Sequence, residues 1–115
     1  MSNEPRRYRN ISYAVTASEA DVYICPANTT TIIKEIIVTN IDGTNAADIT
    51  VKLHDGSASS AKSIISTKSV AEDDFLRLDS ANIYLEASDK IIAVASAASD
   101  LNLFLFLEEY YDPSR

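Results

Sequence analysis

Residue types that support most enzyme and metal chemistry are scarce in this chain of 115 residues. It contains one Cys, one His, two Gly, three Pro and no Trp. A single cysteine, Cys25, excludes an intramolecular disulfide framework, and Cys25 with His54 supplies too few ligands for a zinc site. Two glycines are too few for a Gly-rich loop that would cradle a phosphate. Stability is therefore expected to come from packing, within the chain or against other subunits.

Cys25 and His54 are also the only strong nucleophile and near-neutral base in the chain. Cys25 precedes Pro26 at the end of an apolar segment, where a buried thiol is the usual arrangement, and His54 falls on the polar side of a predicted strand. The acidic segments 72–74 and 42–45 lack the alternating oxygen ligands of an EF-hand loop. We expect no catalytic residue, no metal and no cofactor, and we interpret the protein as a non-enzyme.

Long apolar runs are missing as well, and the charge is uneven. No run approaches the ~20 residues that cross a bilayer, so no contact with a membrane is expected. The net charge is −7, yet residues 1–10 carry +2 from Arg6, Arg7 and Arg9 against Glu4, which leaves −9 on the rest. An acidic body repels nucleic acid, so direct binding of nucleic acid is not favoured. The basic arm is a solvated tail or a segment that docks on an acidic patch of a neighbouring subunit, and contact of the arm with nucleic acid is the least favoured alternative.

Alternation of apolar and polar residues dominates the rest of the sequence and predicts β-strands. In residues 47–54, ADITVKLH, the apolar residues Ile49, Val51 and Leu53 share one side. Turn-forming residues separate such segments. Strands are predicted at residues 10–16, 20–25, 30–40, 47–54, 61–69, 74–78, 81–86, 89–97 and 101–110, with one helical turn as a rival within 69–82.

Short strands at this spacing predict an all-β fold, an antiparallel β-sandwich or jelly-roll-like structure of about eight or nine strands. We divide the chain into a basic N-terminal arm with the first strand at 1–15, a β-sandwich domain at 16–110 and a C-terminal tail at 111–115.

The last predicted strand, LNLFLFLEEY, is apolar on both faces. Its leucines at 101, 103, 105 and 107 share one face, and Phe104 and Phe106 lie on the other. A partner sheet covers only one face of a strand in a sandwich, so the phenylalanines need a second cover. That cover is either the N-terminal arm of the same chain or another subunit. Residues 30–40 show the same tendency, with Ile32, Ile36 and Val38 opposite Ile33 and Ile37.

The six tyrosines are the other candidates for a contact surface. Tyr110 and Tyr111, in the terminal segment EEYYDPSR, combine aromatic and acidic character. Exposed aromatic side chains could bind sugars on a host surface, although tyrosines that cover sheet edges or rim an interface are the simpler interpretation. The predicted interface comprises Arg6, Arg7, Tyr8, Arg9, Phe104, Phe106, Tyr110 and Tyr111.

Two long segments resemble a family of small virion proteins of tailed bacteriophages, common in phages of marine bacteria. The segments are VYICPANTTTIIKEIIVTNIDGTNAADITVKLHD, residues 22–55, and FLRLDSANIYLEASDKIIAVASAASDLNLFLFLEEY, residues 75–110. The matching turn and strand patterns lie at residues 25–30, 39–45, 85–91 and 97–103, and the resemblance spans residues 20–110. Asn28 stands where the pattern most often has Gly. The arm and the tail lie outside the pattern.

This resemblance implies a non-enzymatic structural protein that is present in many copies in the virion. Its first implication is a capsid decoration subunit that binds the major capsid protein and sister copies, forming a trimer or a ring. An adaptor of the neck, tail or fibre base is the alternative within the same class. A module that binds carbohydrate on the host surface is the alternative from a different class.

Overall fold

Nine β-strands make up the secondary structure of the computed structural model, which describes residues 6–79 and 82–113. No α-helix occurs among these residues, so the all-β prediction is confirmed and the rival helical turn is wrong where it is described. The strands are β1 (Arg6–Ala14), β2 (Ala20–Ile24), β3 (Thr29–Asn40), β4 (Ala47–Asp55), β5 (Ser60–Val70), β6 (Phe75–Leu78), β7 (Ile83–Leu85), β8 (Lys90–Ala95) and β9 (Leu101–Tyr111).

The strands form two antiparallel sheets that pack face to face. Sheet A has the order β1-β9-β3-β6, with β7 also paired to β3, and sheet B has the order β2-β8-β4-β5. The short strands β6 and β7 both pair with β3, so each sheet is four strands wide. Successive strands alternate between the sheets except within the β4–β5 and β6–β7 pairs, and the result is the two-layer arrangement of a jelly roll. The predicted fold class is therefore confirmed.

Leucines of β9 form the centre of the core, as the alternating pattern predicts. Leu101, Leu103 and Leu105 are fully buried, and Leu107 is nearly so. They face a layer from sheet B that includes Ile49, Val51 and Ile91 in the same hydrophobic cluster. Each buried aliphatic side chain of this size stabilises the fold by roughly 1.5–3 kcal/mol. The core thus lies between the sheets and leaves the far side of each sheet outside it.

A β-bulge in β3 corrects the predicted facing of its isoleucines. The pairing of β3 with β9 shifts register between Ile33 and Glu35, which leaves Lys34 as an extra residue. Ile33 is therefore buried together with Ile36 and Val38, while Ile32 is half-buried on the opposite side. Strict alternation had placed Ile32 with Ile36 and Val38. One inserted residue reverses the face of every residue beyond it.

Turn residues adopt the conformations that their chemistry permits. Asn28, between β2 and β3, has a φ of 58°, and this left-handed conformation is one that Asn tolerates better than most residues. Asp73, between β5 and β6, has a φ of 54°. In these two turns, Asn28 and Asp73 thus adopt the left-handed conformation for which glycine is the usual residue.

Both ends of the described chain belong to sheet A. β1 begins at Arg6, four residues before the predicted start at residue 10, and β9 continues to Tyr111. Parts of three predicted segments lie outside the described residues: residues 1–5 of the arm, residues 114–115 of the tail and Ala81 of the strand 81–86. The proposed division into arm, sandwich domain and tail stays a prediction.

Candidate assembly surface

The side of sheet A that points away from the core carries most of the predicted interface residues. We call it the outer face of sheet A. The register of the β1–β9 ladder places Tyr8 beside Glu108 and Ser12 beside Phe104. Arg6 pairs with Tyr110 in the same ladder, and the Arg6 guanidinium lies 5.2 Å from the centre of the Tyr8 ring, a favourable cation–π geometry. Arg6, Tyr8, Phe104, Phe106 and Tyr110 therefore share this face.

Four aromatic side chains on the outer face are exposed to solvent. Tyr8 is 68% exposed, Tyr84 65%, Phe75 60% and Phe106 36%. The ladders of β3 with β6 and β7 put Phe75 and Tyr84 on the same side as Phe106, because Phe75 pairs with Thr39 and Tyr84 pairs with Ile32. Scattered exposed apolar residues are normal, whereas several on one face are typical of an interaction surface.

The described part of the chain does not cover the phenylalanines of β9. Residues 6–14, the described end of the predicted arm, pair edge to edge with β9 instead of lying across it. Phe106 consequently stays exposed and Phe104 is half-buried. The N-terminal arm of the same chain is one of the two covers considered for these phenylalanines. Its residues 6–14 do not cover them.

Two shallow grooves run along the junction of β1 and β9. One, of about 270 Å³, lies between Tyr8, Asn10, Phe106 and Lys34. The other, of about 310 Å³, lies beside Phe104 and Ser12. The walls of the first combine aromatic rings with charged side chains, and those of the second combine aromatic rings with small polar ones. The outer face is therefore grooved, and side chains of another protein can pack into the grooves.

Arg7 and Arg9, two predicted interface residues, lie on the other side of β1. Arg7 Nη2 is 2.9 Å from Glu109 Oε1, and Arg9 Nη1 is 3.1 Å from Glu109 Oε2. Glu109 itself is only 5% exposed. The two guanidinium groups therefore compensate a buried carboxylate of the same chain. Whether the exposed part of Arg7 also contacts another subunit stays a prediction.

A hydrogen-bonded chain extends from Glu109 across the sandwich. The Tyr23 hydroxyl donates to Glu109 Oε2 over 2.5 Å and lies 2.7 Å from Thr31 Oγ1. Since the phenol has one proton, the Thr31 hydroxyl donates to Tyr23. Cys25 Sγ lies 3.3 Å from the same Thr31 oxygen. This network ties β2 of sheet B to β3 and β9 of sheet A.

The pKa shifts in this network favour a charged Glu109 and neutral Tyr23 and Cys25, which is the arrangement of a structural cluster. Burial alone would raise the pKa of Glu109, but the hydrogen bonds from Tyr23 and Arg7 and the charge of Arg9 outweigh it, so the pKa lies below its ordinary value. Burial and the Glu109 carboxylate raise the pKa of Tyr23, and burial raises the pKa of the Cys25 thiol. A thiol with a raised pKa is a poor nucleophile.

Sheet B has an outer surface of a different kind. Lys90 Nζ lies 3.3 Å from Asp21 Oδ2, and Lys52 forms an ion pair with Glu19. His54 lies on this side, as its place on the polar side of the predicted strand indicates, and it is half-buried. Ile24 is an exposed large apolar side chain on this side, whereas four exposed aromatic side chains lie on the outer face of sheet A, which is therefore the stronger candidate for assembly.

A metal site and a membrane-spanning helix each place a requirement on the described residues. Within residues 6–79 and 82–113, no group of three or more His, Cys, Asp or Glu side chains is placed to hold a metal ion. No helix in that part of the chain is long and apolar enough to cross a bilayer. Cys25 is a free, buried thiol, as its position before Pro26 predicts.

Phe75 and Tyr84 are members of the surface that sequence reasoning missed. Their strands, FLRL and IYL, are only four and three residues long, so the alternation does not show which face points outward. Tyr111, which was predicted, is 55% exposed at the end of β9, next to Thr29 in the ladder. The pairing of β6 and β7 with β3 is a long-range feature that the local sequence does not contain.

Comparison with known proteins relates the fold to viral and pilus proteins. No protein-family model and no curated protein matches the sequence. Among solved structures, Bacillus endospore appendages described as disulfide-linked pili superpose with a TM-score of 0.56 at 15% identity, over 92% of this chain and 86% of that chain. The acid-stable capsid of a Helicobacter pylori bacteriophage gives a TM-score of 0.54 at 8% identity, over 91% and 86% of the two chains.

A third similar structure is the virus-like particle of the extra small virus of the giant freshwater prawn Macrobrachium rosenbergii. Its TM-score is 0.50 at 10% identity, over 96% of this chain and 80% of that chain. At these identities the similarity is one of fold. The chain thus has the β-sandwich fold found in capsid and pilus subunits of bacteria and viruses.

Proposed function

We propose that this protein is a non-enzymatic structural subunit of a bacteriophage virion, and specifically a capsid decoration subunit. The observation that carries the proposal is the outer face of sheet A, where Tyr8, Phe75, Tyr84 and Phe106 are exposed together. A building block of a shell needs apolar surface that is covered only after assembly. The fold shared with a phage capsid protein supports the same role.

Location in the particle is tested by counting copies. In purified particles of the phage that encodes this chain, quantitative mass spectrometry gives the ratio of this protein to the major capsid protein. A decoration subunit is expected at a ratio of the order of one to one. A small fixed number of copies would instead indicate an adaptor of the neck, tail or fibre base, and absence from particles would contradict a virion role.

The assembly surface is tested by a substitution that retains the core. Phe106→Asp adds a charge to the outer face while the buried leucines on the other side of β9 are untouched. We expect the variant to remain folded, with a melting temperature lowered by the lost packing of the covered part of the ring, and to lose incorporation into particles. Ile41→Asp is a matched control, because Ile41 is 57% exposed in the turn after β3.

Host-surface binding gives the opposite result in the same experiment. A sugar-binding module would adhere to host cells as the isolated protein and would keep its place in the particle after Phe106→Asp. Equal incorporation of the two Asp variants would therefore overturn the proposed assembly role of the outer face.

A further inference from the structure

The strands of the outer face of sheet A carry charges that nearly cancel, although the whole chain carries −7. Arg6, Lys34 and Arg77 lie on this face with Glu35 and Glu108, and Asp79 lies at its margin. Within the described residues, most of the negative excess therefore lies outside the strands of this face.

Most of these charges also have partners within the face. Arg77 binds Glu35 and lies 3.7 Å from Asp79. The Tyr110 hydroxyl donates to Glu108, and Lys34 Nζ donates to Asn82 Oδ1 over 2.9 Å. An approaching surface therefore meets charges of both signs, most of them already ion-paired or hydrogen-bonded within the face, around exposed rings. A strongly charged partner has no complementary field on this face.

A second copy of the same chain fits this surface. Two molecules of net charge −7 repel each other through most orientations, and this repulsion is smallest where neutral faces meet. A two-fold contact places the same patch against itself, which requires a self-complementary surface. An apolar centre with balanced charges meets that requirement.

The exposed area is of the size that a stable dimer needs. Given ring sizes of 150–250 Å² and the exposed fractions of Tyr8, Phe75, Tyr84 and Phe106, the four rings alone present roughly 450 Å². A standard interface buries about 800 Å² on each partner, and a little more than half of it is apolar. Half-buried Phe104 and Ile37 add to the apolar part.

We infer that two copies of this chain pair through the outer faces of their A sheets, with Phe106 and Tyr84 of each copy inside the contact. The pair then has four layers in the order sheet B, sheet A, sheet A, sheet B. Its outside consists of the two ion-paired B sheets. This inference rests on the proposed function only in taking the outer face of sheet A as an assembly surface.

Sedimentation velocity of the full chain over a range of concentrations tests the pairing. The wild-type chain is expected to shift from monomer to dimer as its concentration rises. Phe106→Asp and Tyr84→Arg are each expected to remain monomeric and folded, with almost unchanged melting for Tyr84→Arg because Tyr84 is 65% exposed. Ile24→Asp is the matched control, since Ile24 is 52% exposed on the outer side of sheet B, and it is expected to dimerise normally.

Crosslinking identifies the contacting face. A photo-crosslinking phenylalanine at position 106, in a mixture of isotopically light and heavy chains, is expected to join light to heavy peptides from β1, β3 or β9. A wild-type chain that is monomeric throughout, a dimer that survives both variants, or crosslinks to peptides of sheet B would each overturn the inference.

The outcomes separate this inference from the proposed function. A monomeric chain whose Phe106→Asp variant is lost from particles retains the virion role and assigns the face to a different partner. A chain that dimerises as described but is absent from particles retains the pairing and removes the virion role.

Discussion

The hydroxyl of Tyr23 lies 2.5 Å from Oε2 of Glu109, although Tyr23 belongs to sheet B and Glu109 to sheet A. Both residues are 5% exposed. A buried carboxylate requires compensation by hydrogen bonds and opposite charge, and here it is held by one phenol and two guanidinium groups. The first strand of the chain is thereby fixed to the last by ionic contacts as well as by the ladder.

Removal of the phenol is predicted to destabilise the sandwich. Tyr23→Phe deletes the hydrogen bond to the buried Glu109 carboxylate and the phenol oxygen that accepts from Thr31, so the free energy of unfolding is expected to fall by about 1–3 kcal/mol. Urea denaturation measures this change. Tyr84→Phe is the control and should have almost no effect, because Tyr84 is largely exposed. Equal stability of the two variants would mean that the buried network contributes nothing.

Acid is predicted to weaken the fold through Glu109. Because the pKa of Glu109 is lowered in the folded state, its contribution is complete above the ordinary value of 4.5 and is lost as the pH falls through the lower folded pKa. Asp42 and Asp55, whose pKa values are lowered by hydrogen bonds from the backbone and side chains of neighbouring turn residues, act in the same direction.

Thermal melting between pH 7 and pH 3 tests the contribution of Glu109. Glu109→Gln is expected to be less stable than wild type at pH 7 and to lose less stability on acidification. Asp42 and Asp55 contribute to the loss that remains. Parallel pH profiles for the two proteins would show that Glu109 does not contribute.

Deletion of Lys34 is predicted to retain the native pairing of β3 with β9. Without this extra residue, Ile33 and Ile36 stand two positions apart, so strict alternation buries both while Ile33 still pairs with Leu107 and Ile36 with Leu105. We expect the deletion variant to keep a cooperative unfolding transition, measured by circular dichroism. Lys34→Ala keeps the residue count and loses only the exposed hydrogen bond to Asn82, so its stability is expected within about 0.5 kcal/mol of wild type. Aggregation or loss of the cooperative transition in the deletion variant would contradict this account of the bulge.

Gly56 is predicted to tolerate no side chain. A Cβ atom there would lie 2.4 Å from Ser88 Oγ and 2.9 Å from the Ser88 carbonyl oxygen. Gly56→Ala must displace the backbone of that turn, at an expected cost of about 1–3 kcal/mol. At Gly43 the closest atom would be Asp73 Oδ2 at 3.4 Å, so Gly43→Ala is the control and should melt near the wild-type temperature. A melting temperature of Gly56→Ala equal to that of the control would contradict this account.

The positions of the strands and the interior residues of β9 could be read from the sequence. Leu101, Leu103 and Leu105 alternate with polar or aromatic residues, and in an uninterrupted strand alternation fixes which residues share a face. The buried thiol of Cys25 and the positive φ of Asn28 also follow from local chemistry. These features depend on residues that are neighbours in the sequence.

Other features depended on pairings between distant segments, and only the tertiary structure decided them. The bulge at Lys34 exchanged Ile32 for Ile33 in the core, because register is set against β9 and not within β3. The pairing of the short strands β6 and β7 with β3 brought Phe75 and Tyr84 onto the face of Phe106. Alternation divides a strand into two sides, but long-range contacts determine which side another layer covers.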